Sequence, residues 1–255
     1  MVNWSSRITF IVLVALLTGC AVVQPAPQPE VLRIGITPNY PPMIFKVGEE
    51  IRGVEAECGS LLAKALQRTP QFVEFPWDEL IPALVGGKID IIMSGMSVTD
   101  VRKVRIDFAE PYMRGGLMAL MRAEDKAKYP TLESIMQSIG NVGVVKGTTG
   151  ELFVRRNFIQ AQSIIPLTKA ADSISPIKNR RMDLFVHDAA SIAWLVSENE
   201  AEVAGFWEPF NEEYMAWAVN RGDRELLERV NALLRRWKND GTLSGILKHW
   251  LPYLK

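Results

Sequence analysis

The sequence contains very few of the residues that build metal centres and disulfide frameworks. Among its 255 residues there are two cysteines, Cys20 and Cys58, and two histidines, His187 and His249. These are too few and too widely spaced for a metal cluster, and the sequence implies no cofactor. An excess of charge of one sign is also missing, because 29 Lys and Arg residues balance 29 Asp and Glu residues. Nucleic acid is therefore excluded as the main partner, since phosphate binding needs a basic surface.

A hydrophobic run long enough to cross a membrane comfortably is absent as well, although a shorter run lies near the N-terminus. Arg7 is followed by ITFIVLVALL, and we interpret residues 1–19 as a secretory signal rather than a transmembrane span. The run ends in LTGC, Leu17 to Cys20, which resembles the lipobox of bacterial lipoproteins. We therefore predict a lipid anchor on Cys20 and an extracytoplasmic location, in the periplasm or at the cell surface. The alternatives are an ordinary signal with a chance cysteine and an N-terminal anchor helix.

The segment that follows the signal is predicted to be an extended proline-rich tether. It covers residues 20–30 and contains AVVQPAPQPE. Loss of the signal removes one charged residue, Arg7, so the mature chain carries a net charge of about −1. If Cys20 is acylated, Cys58 has no disulfide partner. Because Cys58 lies in an apolar helical stretch, we expect it to be buried in the core.

The order of apolar runs and helical patterns indicates an α/β fold with two lobes. Short runs such as VLRIGI and IDIIMSG alternate with helical patterns, which is typical of parallel sheets. Residues 88–93 and 181–186 share a basic–apolar–acid–apolar pattern, and EEYMAWAVNRGD is a predicted return strand. We predict that residues 31–116 and 217–255 form lobe 1 and that residues 117–216 form lobe 2. Two strand crossings between the lobes would make a hinge beside a cleft.

Polar residues follow the ends of three predicted strands, and in open α/β sheets ligands bind beyond the carboxyl ends of the strands. The first such segment is MSGMSVTDVRK, residues 93–103. It offers a close backbone approach at Gly95 and a hydroxyl at Ser97. Thr99 is a predicted helix N-cap, which would place Arg102 near the positive end of a helix, where a cation is unfavourable. We therefore expect Arg102 to be there for a ligand carboxylate, which a guanidinium can bind through two hydrogen bonds.

The second segment is VVKGTTGE, which leads into a predicted helix. Thr148 and Glu151 have the spacing of a capping box. This leaves Lys146, Thr149 and the first helical N–H groups, including that of Gly150, as a candidate anion site. A Walker A loop is excluded, because its Gly-Lys-Ser/Thr ending is absent.

The third segment is LFVHDAAS, in which Asp188 ends a predicted strand and opens a helix. Asp188 is either a plain N-cap or a carboxylate that binds a cation. A lone histidine such as His187 is more often structural than catalytic. Together, Arg102 and Asp188 would bind a zwitterion, with its carboxylate on Arg102 and its ammonium on Asp188. The residues therefore indicate an amino acid as the ligand.

Longer motifs resemble those of one protein family, in the same order and spacing: GITPNYPPMIF, LIPALVGGKIDIIMSGMSVTDVRK, DFAEPY, GTTGE and NDGTLSGILKHW. From Leu32 to Tyr253 the chain resembles the polar-amino-acid-binding proteins of bacterial ABC importers, which include glutamine-, histidine- and lysine/arginine/ornithine-binding proteins. The resemblance implies a monomeric type II periplasmic binding protein that captures an amino acid between two lobes. It also implies that the ligand is delivered to an importer permease.

The resemblance assigns the two charged groups of the ligand to particular residues. The family's α-carboxylate site falls on Arg102, with Gly95, Ser97 and the region of Thr149. Its ammonium site falls on Asp188, together with groups of Gly95 and Ser97. The resemblance therefore implies the same charge pair as the strand ends.

Other positions of the family's site bear on the identity of the ligand. Tyr40 stands at the aromatic position that packs flat on the ligand, and Lys146 and His187 stand where glutamine binders carry Lys and His. Thr37 replaces an acid that contacts the ligand side chain in many members, and Val54 replaces a second aromatic clamp. Because that acid is missing, the resemblance favours a polar neutral or acidic amino acid over arginine or lysine.

Two other functions compete with amino acid transport. Secreted cyclohexadienyl dehydratases, which act on prephenate or arogenate, share this fold and resemble the chain at MSG and HWLPY. Their catalytic glutamate corresponds to Ser191, which cannot act as a general acid, so we predict a binding protein rather than an enzyme. A ligand sensor of the same fold is less expected, because the sequence shows neither a second membrane span nor a signalling domain.

Overall fold

The computed structural model describes Met1 and residues 30–253. The predicted lipidation site Cys20, and the signal and tether apart from Met1 and Glu30, lie outside the described residues. Within residues 30–253, none of the helices combines the length and the hydrophobicity that a membrane span requires.

Strands and helices alternate through most of the described chain, as the sequence predicts. The strands are β1 (Val31–Ile36), β2 (Asn39–Tyr40), β3 (Ile44–Val47), β4 (Glu50–Arg52), β5 (Thr69–Glu74), β6 (Ile91–Ile92), β7 (Ile106–Phe108), β8 (Met113–Gly115), β9 (Leu117–Arg122), β10 (Asn141–Val145), β11 (Ser163–Leu167), β12 (Leu184–Asp188), β13 (Val203–Phe206), β14 (Glu213–Met215) and β15 (Ala218–Asn220). The α-helices are α1 (Val54–Ala65), α2 (Leu80–Val85), α3 (Asp100–Lys103), α4 (Leu132–Met136), α5 (Thr149–Asn157), α6 (Ile174–Lys178), α7 (Ala189–Glu198), α8 (Arg224–Asp240) and α9 (Thr242–Trp250). Short 3-10 helices occupy Trp77–Glu79, Ala123–Lys128 and Ala170–Ser173.

Two five-stranded sheets form the framework of the molecule. The first has the order β5-β1-β6-β15-β7, in which β1 runs parallel to β5 and β6, and β15 runs antiparallel to β6 and β7. The second has the order β11-β10-β12-β9-β13, in which β10 runs parallel to β11 and β12, and β9 runs antiparallel to β12 and β13. Leu184, Phe185 and Val186 of β12 are all fully buried. Burial on both faces of the sheet explains why such central strands are continuously apolar.

The basic–apolar–acid–apolar pattern that occurs twice in the sequence has a structural cause. Asp90, just before β6, accepts a hydrogen bond from the backbone N–H of Arg33 in β1 at 2.7 Å. Asp183, just before β12, accepts one from the backbone N–H of Asn141 in β10 at 2.9 Å. In each sheet the acid therefore fastens the start of the central strand to its parallel neighbour.

Two strand crossings connect the sheets and lie side by side. The first crossing, β8, pairs antiparallel with the second, β14, so that Gly115 lies opposite Glu213. Tyr112, just before β8, stacks on Trp217, just after β14, with ring centroids 5.4 Å apart. The architecture confirms the predicted two-lobed α/β fold with a two-stranded hinge. The predicted lobe boundaries fall beside these crossings and stay a prediction.

The helices cover the sheets and complete the core. In α1, Cys58 is fully buried, as the sequence predicts. The amphipathic helices α8 and α9 pack against each other and against α1. They are joined at Gly241, whose φ of +85° lies in the left-handed region that glycine adopts without strain.

Candidate ligand-binding site

The carboxyl ends of β6, β10 and β12 face one cleft between the two sheets, where the sequence predicts a ligand. Residues that follow each of these three strands line the cleft, among them Gly95, Thr149 and Asp188. Each wall belongs to a different sheet, so a bound molecule would touch both lobes.

The wall on the side of the first sheet is shaped by close backbone packing. Gly95 has a φ of +64°, and a Cβ atom at this position would lie 2.6 Å from the ring of Tyr40. Thr37 also lines this wall. Its backbone N–H donates to Ser94 Oγ at 2.9 Å, and its hydroxyl donates to the carbonyl of Phe75 at 2.9 Å. The hydroxyl hydrogen of Thr37 is therefore already donated to Phe75, so this hydroxyl can only accept a hydrogen bond from a ligand.

Arg102 lies on this wall, although for a different reason from the one that the sequence suggests. Thr99 is the N-cap of α3, and its Oγ1 accepts the backbone N–H of Arg102 at 3.2 Å. However, α3 is a single turn that ends at Lys103, because the chain then enters the sheet as β7. Arg102 therefore lies in the last turn of α3 as well as in its first turn, and the expectation of a cation at the unfavourable end of a helix is wrong. Lys103 and Arg105, the other cations of this segment, are exposed.

The guanidinium of Arg102 is held in place without a carboxylate. Its Nη1 donates to the carbonyl of Ser97 at 2.7 Å, and its Cζ lies 5.3 Å above the ring of Trp77. Within residues 30–253, Arg102 forms no ion pair. Burial lowers the pKa of Arg102, and the more distant charges of Asp188 and Glu213 oppose this effect. The result is an oriented cation that lines the cleft.

The end of β10 forms part of the opposite wall. Thr148 caps α5, because its Oγ1 accepts the backbone N–H of Glu151 at 3.3 Å. The predicted capping box is only half right, since Glu151 accepts the backbone N–H of Gly147 at 2.7 Å instead of that of Thr148. The hydroxyl of Thr149 lines the cleft and donates to Glu213 Oε2 at 2.9 Å. A hinge-strand acid therefore fixes the orientation of Thr149.

Three of the predicted site residues do not line this cleft. Val54 is fully buried in the core of the first lobe, so it is not the counterpart of an aromatic clamp. Gly150 is buried, and a Cβ atom there would lie 3.1 Å from the carbonyl of Val186. Lys146 is exposed and lines an adjoining compartment, which also contains Asp78. Lys146 can therefore meet only the outer part of a ligand.

The end of β12 carries the acid of the site. Asp188 is 6% exposed and its carboxylate does not cap α7, so the plain N-cap interpretation is wrong. Its Oδ2 lies 3.1 Å from Nδ1 of His187, but the two atoms form no hydrogen bond. The ring of His187 stacks on Phe185. Burial, and then the charge of Asp188, raise the pKa of Tyr40 well above its usual value. Among the described residues, three buried side-chain atoms lack a hydrogen-bond partner, and all three lie here: Tyr40 Oη, His187 Nδ1 and Asp188 Oδ1.

Sequence reasoning missed several residues of the cleft, above all Trp77. Its indole N–H donates to the carbonyl of Gly147 at 3.0 Å, which links the two walls directly. Trp77 follows β5, which runs parallel to β1 in the first sheet, so the rule about strand ends could have found it. The other lining residues that were missed are Asn39, Val145, Thr148, Thr168, Lys169 and Ala170.

The two sheets, the paired crossings and the polar cleft at the strand ends define the two-lobed class of type II periplasmic binding proteins. The architecture alone does not say which family of that class is present. The chain belongs to the bacterial extracellular solute-binding proteins of family 3, whose model matches residues 32–253. The match spans both sheets and both hinge strands.

Individual relatives are similar over most of their length. The L-cystine-binding protein TcyJ of Escherichia coli K12 is 26% identical over 220 residues, which are 86% of this chain and 82% of that protein. A probable histidine-binding protein of Campylobacter jejuni is 30% identical over 223 residues, or 86% and 84% of the two chains.

Solved structures are similar as well. A crystal structure of the ancestral amino acid-binding protein AncCDT-1, a precursor of cyclohexadienyl dehydratase, has a TM-score of 0.80 and 32% identity, covering 86% of this chain and 95% of that one. A lysine complex of a putative ABC transporter binding component from Wolinella succinogenes has a TM-score of 0.82 and 26% identity, covering 86% and 94%.

Proposed function

We propose that this protein is an extracytoplasmic substrate-binding protein that captures an amino acid as a zwitterion and delivers it to an ABC importer permease. One observation carries the proposal. Arg102 on one wall lacks a carboxylate among the described residues, and Asp188 on the other wall has a buried oxygen without a partner. Buried polar groups are normally satisfied, so this arrangement points to a ligand with one group of each charge. Two of the relatives above are named as cystine- and histidine-binding proteins, and one of the similar structures is a complex with lysine. These names support the interpretation.

The site residues of this proposal divide by the group that they bind. Arg102 binds the α-carboxylate with the help of Thr149, because a guanidinium and a hydroxyl both donate hydrogen bonds. Asp188 binds the ammonium with groups of Gly95 and Ser97. The ring of Tyr40 packs on the ligand beside His187, from which its centroid is 5.4 Å away. Closure of the two lobes, residues 31–116 with 217–255 and residues 117–216, would then bring both charges onto the ligand.

The adjoining compartment bears on the side chain of the ligand. It is lined by Lys146 and Asp78 and shares Thr37 and Trp77 with the cleft. Lys146 favours a side chain with a hydrogen-bond acceptor and opposes a cationic one. Asp78 weakens the preference for an anion. We therefore propose a polar neutral or acidic ligand, with the neutral class preferred.

A dehydratase activity is the alternative function, because one similar structure is a precursor of such an enzyme. The position expected for the general acid is Ser191, which is 1% exposed in α7 and carries no carboxyl group. We propose that the protein is not an enzyme. Turnover of prephenate or arogenate by the purified protein, measured by product chromatography, would contradict this assignment.

A thermal-shift screen against the twenty amino acids tests the proposed function. A ligand present at about 100 times its dissociation constant should stabilise the protein by about 2.7 kcal/mol, because it binds only the folded form. We expect a shift with at least one polar neutral or acidic amino acid. Equal unfolding temperatures with all twenty, followed by calorimetry without heat of binding, would contradict the proposal.

Membrane attachment through Cys20 is a further part of the proposal, supported by the sequence LTGC. We propose a monomer on a proline-rich tether, held at the membrane by this lipid. The Cys20→Ser variant should leave the membrane fraction or accumulate unprocessed, as measured by fractionation and mass spectrometry. A correctly cleaved Cys20→Ser variant that stays in the membrane would show that the anchor lies elsewhere.

A further inference from the structure

Glu55 is a fully buried acid in the first turn of α1. Its Oε1 accepts hydrogen bonds from the backbone N–H of Gly95 and from the hydroxyl of Tyr112, both at 2.7 Å. Its Oε2 accepts the indole N–H of Trp217, also at 2.7 Å. The carboxylate therefore accepts three hydrogen bonds from within the protein, and Glu55 does not line the cleft itself.

The three donors come from parts of the molecule with different roles. Gly95 belongs to the wall of the cleft on which the ligand ammonium is proposed to bind. Tyr112 stands immediately before the first hinge crossing, and Trp217 stands two residues after the second. One carboxylate therefore touches the ligand wall and both ends of the hinge.

We propose that Glu55 is a positioning residue that couples the Gly95 side of the ligand cleft to both hinge crossings. This inference rests on the proposed function, because it assumes a ligand beside Gly95. While the carboxylate is ionised, the Gly95 peptide is held in the orientation that the ligand meets. Movement of either crossing would shift Tyr112 or Trp217, and with them the Glu55 carboxylate that holds Gly95.

Protonation of Glu55 would loosen this arrangement. Burial raises the pKa of Glu55 to about 7, although its three hydrogen bonds oppose the shift. The titratable groups that face it are Tyr112, Cys58 and Tyr40, whose pKa values are all raised well above their usual values, so they stay neutral near pH 7. A neutral carboxyl accepts weaker hydrogen bonds than a carboxylate, so protonation weakens the three bonds that hold Gly95, Tyr112 and Trp217.

The direction of the pH effect follows from the charge of the ligand. An ammonium beside Gly95 favours the ionised form of Glu55, so ligand binding lowers the pKa of this group. Affinity is then greatest above pH 7 and falls as the pH drops through that value. His187 and Asp188 face the cleft from the opposite wall, and a variant of Glu55 separates their contribution to binding from that of Glu55.

The first experiment measures the dissociation constant by calorimetry between about pH 5.5 and pH 8, with the amino acid that the screen identifies. We expect the affinity of the parent protein to fall about tenfold from the upper to the lower end of this range. Glu55→Gln should bind about tenfold more weakly than the parent at the upper end, and its affinity should be nearly independent of pH. The control is Glu57→Gln. Glu57 is an exposed acid of the same helix and accepts the indole N–H of Trp250 at 2.9 Å. This variant should have the same affinity and pH profile as the parent. A Glu55→Gln protein with the parental pH profile would overturn the proposal.

The second experiment needs neither a ligand nor a variant of Glu55. In ligand-free parent protein, the NMR signals of the Gly95 amide and the Trp217 indole N–H should titrate together, with one midpoint near pH 7. Loss of the indole signal in Trp217→Phe provides its assignment. Signals that do not titrate, or that titrate with different midpoints, would overturn the coupling even if Glu55→Gln failed to fold. If the signals titrate together but no amino acid binds, the proposed function is wrong and the coupling stands.

Discussion

Asp188→Asn is expected to remove most of the affinity for the ligand without harming the fold. The side chain is buried and one of its oxygens has no protein partner, so the neutral amide should fold at least as stably. In the complex, however, the ligand ammonium would lose its counter-charge in a desolvated site. Removing one member of such a pair costs on the order of 3 kcal/mol or more, which is at least about 100-fold in affinity.

Calorimetry with the ligand from the screen, together with thermal unfolding of the ligand-free protein, checks this result. The matched control is Asp100→Asn, which removes the same charge from a side chain that is 97% exposed. It should leave both quantities unchanged. Parental affinity in Asp188→Asn would show that the ligand is not held through an ammonium on this wall.

Arg102→Lys is expected to have the second largest effect, although it keeps the positive charge. Lysine cannot donate to the carbonyl of Ser97 and at the same time present two parallel N–H groups to a carboxylate. It also loses the planar contact with Trp77. We expect a cost of about 1.5–3 kcal/mol, or about 10- to 150-fold in the dissociation constant.

The control for this change is Arg105→Lys, three residues further on and exposed to solvent. It should bind like the parent in the same calorimetric titration. Arg102→Lys with unchanged affinity would mean that the carboxylate of the ligand lies elsewhere. Weak binding in both variants would instead indicate a long-range effect of the basic segment.

The sequence predicts the general architecture because its main signals are local. The alternation of apolar runs and helical patterns identifies the two sheets, and the polar residues after β6, β10 and β12 identify the cleft. Asp188 is recognisable because it ends a buried strand, and Arg102 because it is the first cation after the end of β6. Even so, the helix argument for Arg102 is wrong, since the pairing of β7 in the sheet ends α3 after one turn.

Other parts of the site depend on contacts between residues that are far apart in sequence. Trp77 reaches Gly147 across 70 positions, and Glu55 reaches Trp217 across 162. In the sequence, Glu55 looks like an ordinary acid in the first turn of a helix, where the helix dipole already accounts for it. Val54 shows the reverse case, because a family position suggests a role that its burial in the core does not allow.

Two aromatic contacts have a consequence for the range of ligand concentrations to which the protein responds. The ring centroids of Phe45 in β3 and Trp194 in α7 lie 5.7 Å apart, and the indole N–H of Trp77 donates to the carbonyl of Gly147. These contacts are made by protein atoms alone, so they hold the two sides of the cleft together whichever compound lies between them. The apparent affinity of a binding protein scales with the fraction of molecules that is ready to bind. Substitutions at Phe45 or Trp194 can therefore shift the concentration range over which the protein responds while leaving its choice of compound intact.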